Sequence, residues 1–153
     1  MKRTAFTMIE LVFVIVILGI LAAVAIPKFA ATRDDAQITK GRSDVAAIRS
    51  AIVSERQARL LQGSSTYISA LDQGVASATA GVVIFDDSDA VTTNGTLLQY
   101  GITTAAGNGH WMKTGAGAYT YQVMNDPVAF TYTQATGAFD CTHTNANCRL
   151  LTE

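Results

Sequence analysis

This sequence predicts an α+β architecture, one long N-terminal α-helix packed on a C-terminal antiparallel β-sheet. Three observations carry that expectation. Residues 6–26 are an apolar run broken by one full charge, residues 28–62 change to amphipathic helical spacing without a proline, and the last third alternates apolar and polar residues between turn sequences. The 153 residues leave room for one domain beside a membrane helix. They divide into a short basic segment (1–5), an apolar half-helix (6–27), an amphipathic half-helix (28–62) and a globular β-sheet domain (63–153).

The first element is FTMIELVFVIVILGILAAVAI, Phe6 to Ile26. At about 1.5 Å per residue it reaches about 32 Å, enough to cross a bilayer core of about 30 Å. Lipid offers its backbone amides no partners, so the run is helical despite its many Val and Ile residues. Lys2 and Arg3 precede it, which leaves the N-terminus cytoplasmic and sends everything after Pro27 across the membrane. Gly19 and Pro27 are the weak points: Gly costs about 1 kcal/mol against Ala in a helix interior, and Pro27 removes the amide that would bond to the carbonyl of Ala23. Both residues are also ordinary in membrane helices.

Glu10 is the oddity. An ionisable group inside such a helix costs on the order of 3 kcal/mol, so it needs a partner or a proton. Its neighbours one turn away, Phe6 and Val14, are apolar, and Lys2 and Arg3 lie two turns back. Either Glu10 stays hydrated at the headgroup level or its counter-charge comes from elsewhere. A cut before Phe6 would create one, an α-amino group a helical turn from Glu10 and within reach of Glu10 on a neighbouring helix.

The basic start Met1 to Ala5 (MKRTA), then Phe6-Thr7-Met8-Ile9-Glu10-Leu11, then the long apolar helix, resembles the N-terminal signature of type IV pilins and type II secretion pseudopilins. The resemblance covers about the first 30 residues. It implies the pilin fold, with residues 1–5 as a leader that a prepilin peptidase removes between Ala5 and Phe6, followed by N-methylation of Phe6. Ala5 stands where the family usually has Gly; both are small. It further implies that Glu10 pairs with the Phe6 amine of an adjacent subunit, and that the helices form the core of a helical homo-oligomeric filament. An assembly platform protein, an assembly ATPase and minor pilins are the implied partners. In several such filaments the segment matching Gly19 to Pro27 loses helical structure on assembly. The implied location is the inner membrane, single-pass, and then a periplasmic or cell-surface filament.

From Lys28 onward, Ile38, Gly41, Val45, Ile48 and Ile52 share one stripe, with Lys40, Arg42, Asp44, Arg49, Glu55 and Arg56 mainly off it. One continuous helix is expected from about Thr7 to Gln62, ended by Gly63-Ser64-Ser65. At about 84 Å it would be too long for a globular domain to enclose. Arg33, Asp34 and Asp35 are either a solvated collar outside the bilayer or inter-subunit contacts.

Residues 63–81 are small and polar and read as a loop, with a helical turn expected around Tyr67 to Leu71. Val82 to Phe85 and Leu97 to Ile102 are strand signals, the second following an Asn94-Gly95 turn. Asn94-Gly95-Thr96 is also a glycosylation sequon. Asp86, Asp87 and Asp89 read as a solvated acidic turn or, alternatively, calcium ligands without the Gly and distal Glu of a regular calcium loop. His110 to Met112 forms a strand that buries Trp111 against the helix. Tyr119 to Met124, Ala129 to Thr133 and Ala138 to Thr142 form a meander, with Asn125-Asp126-Pro127 and Gln134 to Gly137 as its turns.

Cys141 and Cys148, placed outside the cytoplasm by the topology, make a disulfide the default. A metal site of Cys141, His143 and Cys148 with a distant His110 is the rival, and it matches no common zinc pattern. The resemblance agrees with the disulfide, since many subunits of that family carry a C-terminal disulfide loop.

Residues 1–59 carry a balance of +4 and residues 60–153 a balance of −5. An acidic exposed domain argues against gripping nucleic acid through phosphates. No nucleophile, base and orienting group stand at motif spacing, and no Gly-rich phosphate loop opens a helix, so neither an enzyme nor a metal or cofactor is expected. The expected function is a structural filament subunit acting in type II secretion, DNA uptake or pilus assembly. The alternative is a membrane-tethered binding or sensor module that does not polymerise.

Overall fold

The computed structural model describes residues 6–72, 74–86 and 96–153. Helix α1 runs Met8–Leu61, within a residue of the expected bounds at each end, and Gly63 follows it at φ 83° as a left-handed stop. The chain forms two compact units, Met1–Ala36 and Gln37–Glu153. Among the described residues the second holds all the strands: β1 (Val83–Ile84), β2 (Ile102–Thr103), β3 (Trp111–Gly115), β4 (Ala118–Val123), β5 (Asp126–Thr133) and β6 (Ala138–Cys141), followed by the short helix α2 (Ala146–Thr152).

Strands β3, β4, β5 and β6 make one antiparallel meander in sequence order, and β1 and β2 form a separate two-stranded pair. Alternation dictates which side chains turn inward. Trp111 from β3, Tyr119, Tyr121 and Val123 from β4, Val128, Phe130 and Tyr132 from β5 and Phe139 from β6 are all buried. They meet Val45, Ile48 and Ile52 of α1, also buried, with Ile38 packed at the margin. The stripe read from the spacing is therefore the face the sheet covers. Glu55 differs from expectation. It sits three residues beyond Ile52, which continues the stripe, so it is buried, and Arg59 one turn on pairs with it at 3.0 Å.

The sheet is fastened to the helix by polar bonds at the rim of the apolar contact. Trp111 Nε1 donates to Asp44 Oδ2 at 3.0 Å, and the Tyr121 hydroxyl donates to the Gln37 carbonyl at 2.7 Å. Lys40 Nζ donates to the Gly109 carbonyl at 2.6 Å. Arg49 donates to the Phe139 carbonyl and pairs with Asp140 at 2.8 Å. Burial, aided by the nearby Asp44 charge, pushes the Tyr121 phenol up to about 12, so it remains a donor. Asp44 is itself raised by burial, an effect that the Trp111 bond and Lys40 only partly offset.

Three local expectations change. The β4–β5 connection is Met124-Asn125, both left-handed (φ 49° and 63°), and Asp126 and Pro127 are already strand, opposite Val123 and Gln122. A two-residue loop with both φ positive matches the twist of the strands it joins. Pro127 is tolerated because the Gln122 N–H and carbonyl bond instead to His110 and Gly109. Tyr67 to Leu71 forms no helical turn; Ile68 and Leu71 are buried against the sheet, with the Ile68 carbonyl accepting from the Tyr132 hydroxyl at 2.7 Å. The strand expected over Leu97 to Ile102 contracts to Ile102–Thr103, and that over Val82 to Phe85 to Val83–Ile84, because Phe85 turns left-handed (φ 63°) and drops its ring into the aromatic core. Asn94-Gly95, Asp87 and Asp89 lie outside the described residues.

Cys141 and Cys148 are bonded to each other. The bond ties β6 to α2 and consumes both sulfurs that the rival metal set required. Helix α2 was not anticipated, although its cap is a sequence signal: Asn145 Oδ1 accepts from the Asn147 and Cys148 amides.

Gly41 faces Tyr121 and Leu151 so closely that an added Cβ would fall inside 3.0 Å of both. Gly41→Ala should therefore destabilise the domain by about 1 to 2 kcal/mol, overpacking outweighing the gain in helix propensity of about 1 kcal/mol. Urea unfolding followed by the fluorescence of Trp111 would measure it. Asp140 gives a second expectation. Partial burial raises its carboxyl, but the Cys141 amide, His143 and Arg49 outweigh that and hold it below the ordinary carboxylate value. A depressed folded-state pKa contributes stability above the unfolded value of about 3.9, and this is lost as pH falls through that value and below. The stability difference between the wild type and Asp140→Asn should accordingly shrink below about pH 4.

Candidate functional site

The N-terminal unit presents Phe6, Thr7 and Glu10 at the start of α1, with the apolar run behind them. Phe6 is 81% exposed and precedes the first helical residue. Thr7 closes the helix start. Its amide and hydroxyl donate to Glu10 Oε2 at 3.2 and 3.0 Å, and the Glu10 amide donates to its hydroxyl oxygen at 3.3 Å. This reciprocal arrangement is a capping box, Thr-x-x-Glu, which satisfies otherwise orphaned amides and places a carboxylate at the positive end of the helix dipole. Its signal is local, Thr7-Met8-Ile9-Glu10, and gives the charge at Glu10 a value as a cap beside its cost in lipid.

Behind Glu10, Met8–Ile26 forms a stretch long and apolar enough to cross a membrane, with a mean hydropathy of 3.1 and none of it buried by the rest of the chain. Leu11, Phe13, Leu18, Ile20 and Leu21 are all exposed. Gly19 lies within the helix with no atom near enough to touch an added Cβ, and the backbone stays helical through Pro27. Arg33 and Asp35 are exposed and Asp34 half-buried. Ala5 lies outside the described residues, as do Lys2 and Arg3.

The remaining predicted positions do not converge on a reactive centre. His143 Nε2 lies 3.2 Å from both oxygens of Asp140, which Arg49 also engages, and His110 is exposed on the approach to β3. Among the described residues no group of three or more His, Cys, Asp or Glu side chains is placed to hold a metal ion. Asp86 is half-buried just after β1.

Comparison with a family model falls on the same N-terminal segment. Residues 1–26 match the prokaryotic N-terminal methylation motif. The chain is similar to type II secretion system core protein G of Pseudomonas aeruginosa, 41% identical over 51 residues, and to type IV narrow pilus major component PilA5 of Thermus thermophilus, 47% identical over 51 residues. Each match covers 33% of this chain, and 36% and 44% of the respective relatives, so the chain spans less than half the length of either. No solved structure matches it. On residues 1–26 the chain thus carries the prepilin-type N-terminal methylation signature of type IV pilins and type II secretion pseudopilins.

Proposed function

We propose that this chain is a structural subunit of a pilus-like or pseudopilus filament. One observation carries the reading: a carboxylate in the first turn of a helix whose apolar surface from Met8 to Ile26 is uncovered among the described residues. Lipid can cover the surface but offers the charge nothing. A bundle of such helices covers both, provided that each brings a positive group to its neighbour's Glu10.

Cleavage between Ala5 and Phe6 by a prepilin peptidase supplies that group as the Phe6 amine, which is then methylated. Residues 1–5 are the leader on this reading, 6–27 the membrane and filament-core half-helix, 28–62 the amphipathic half-helix and 63–153 the exposed domain. The subunit waits in the inner membrane, N-terminus in the cytoplasm, until a platform protein and an assembly ATPase extract it to join other pilins, minor pilins among them. Packing then exchanges lipid for protein partners, and the Glu10 to amine pairing relieves a buried charge only in register. Gly19 and Pro27 mark the segment able to loosen on extraction. The relatives belong to type II secretion and to a type IV pilus, and the secretion, DNA-uptake and piliation phenotypes of a deletion separate these roles. The acidic domain, at a balance of −5 over residues 60–153, is not built to hold nucleic acid.

The native polypeptide should begin at methylated Phe6 by mass spectrometry. Glu10→Ala should insert in the membrane as the wild type does while filament yield drops by roughly tenfold or more, because losing the pairing removes at least about 1.4 kcal/mol from each docking event. A wild-type chain that polymerises with Met1 to Ala5 still attached would overturn the reading. An unprocessed chain that never polymerises would instead make the helix a tether for a binding or sensor module.

A further inference from the structure

Beneath the 63–81 loop lies a group of side chains on which the proposed function does not draw. Asp72, from the loop, is 5% exposed and Lys113, from β3, is 9% exposed; Lys113 Nζ contacts Asp72 Oδ1 directly. Tyr119 completes the group, its hydroxyl donating to Asp72 Oδ2 at 2.8 Å. Lys113 and Tyr119 are register partners across β3 and β4, so their side chains leave the sheet on the same face. The surroundings are aromatic: the Phe85 ring centre lies 4.7 Å from that of Tyr119, and that of Phe139 lies 5.9 Å away. A cleft of about 240 Å³, lined by Asp72, Lys113, Tyr119 and Tyr132 among others, opens beside the pair.

An ammonium and a carboxylate do not condense in water, because hydration stabilises both ions and water is in excess. Burial weakens the first condition. Each ion forfeits several kcal/mol of effective hydration, while an amide in the same place carries no net charge. The water released can leave through the cleft. Tyr119 adds the remaining requirement, a donor held on the oxygen that must accept charge as the carboxyl carbon is attacked. Burial and the Asp72 contact raise the phenol far above its ordinary value, so it keeps its proton.

We propose that Lys113 and Asp72 condense to an intramolecular isopeptide bond, with Tyr119 as the group that activates the carboxyl. The Lys113 ammonium passes one proton to Asp72 Oδ1, which leaves an amine and a carboxylic acid. The Nζ lone pair adds to Cγ while the Tyr119 hydroxyl stabilises the negative charge growing on Oδ2. A second Nζ proton moves to Oδ1, the Cγ–Oδ1 bond breaks and water departs, leaving one N–H on the new Nζ–Cγ bond. Charge and atoms balance without an oxidant, reductant or co-reactant. The product ties the loop covalently to β3 across 41 residues of sequence.

The test is peptide mass spectrometry on the full-length chain, purified folded, reduced at its disulfide and digested. The expected result is a linked species in which the peptide bearing Asp72 is joined to that bearing Lys113 at the sum of their masses less one water. Lys113→Arg, which keeps the charge but cannot form the amide, should yield the two peptides separately. Recovery of both peptides unlinked and at full mass from the folded wild type would overturn the proposal. So would a water loss confined to the Asp72 peptide, the signature of a succinimide, or a linked species that persists in Lys113→Arg.

Discussion

Everything in the C-terminal unit depends on covering one stripe of α1. Val45, Ile48 and Ile52 cannot bury themselves, since a lone helix has no interior, and the four-stranded meander supplies the missing face with an unusual density of rings. Trp111 sits among Tyr121, Phe130 and Phe139 with ring centres 5.0 to 6.0 Å apart, and Phe85, just after β1, meets it edge-on. Such a core combines a large apolar area with geometric preference, so the sheet has few equivalent ways to sit on the helix. The polar rim selects among those few. Asp44 accepts from the indole of Trp111, and the Gln37 carbonyl accepts from Tyr121, so a slip along α1 would strand buried donors.

The N-terminal unit obeys the opposite logic. From Met8 to Ile26 it has the same helical backbone, but among the described residues nothing covers it, and apart from Glu10 its side chains are apolar all round rather than striped. A helix of that kind belongs in lipid or among other helices. Glu10 is compatible with both settings because Thr7 gives it local work as the partner in a capping box. A charge that caps its own helix can remain at the membrane surface, and it can also be turned toward a cation brought by a neighbour.

Elements whose logic is periodic or local were legible in the sequence. The helix expected from about Thr7 to Gln62, the stripe through Ile38 and Ile52 and the meander follow from spacing and composition, and the cysteine pair from the expected topology. The structure has the helix at Met8–Leu61, the stripe and meander in the core, and the disulfide formed. The misreadings were local competitions. Asn125-Asp126-Pro127 contains three turn-forming residues, yet strand twist favours the two-residue loop Met124-Asn125, one position earlier. Glu55 looked like a surface charge until its position on the stripe and Arg59 beside it made burial possible.

The sequence by itself determined the long helix, the β3–β6 meander and the stretch that can live in a membrane, because each follows from side chains within a few residues of one another. It also carried the prepilin-type signature, a contiguous motif. Only the tertiary structure brought Asp72, Lys113 and Tyr119 together, or set Asp44 under Trp111. Those contacts join residues tens of positions apart on different elements. The packing of the loop and sheet onto the helix decides them, and no periodicity encodes it.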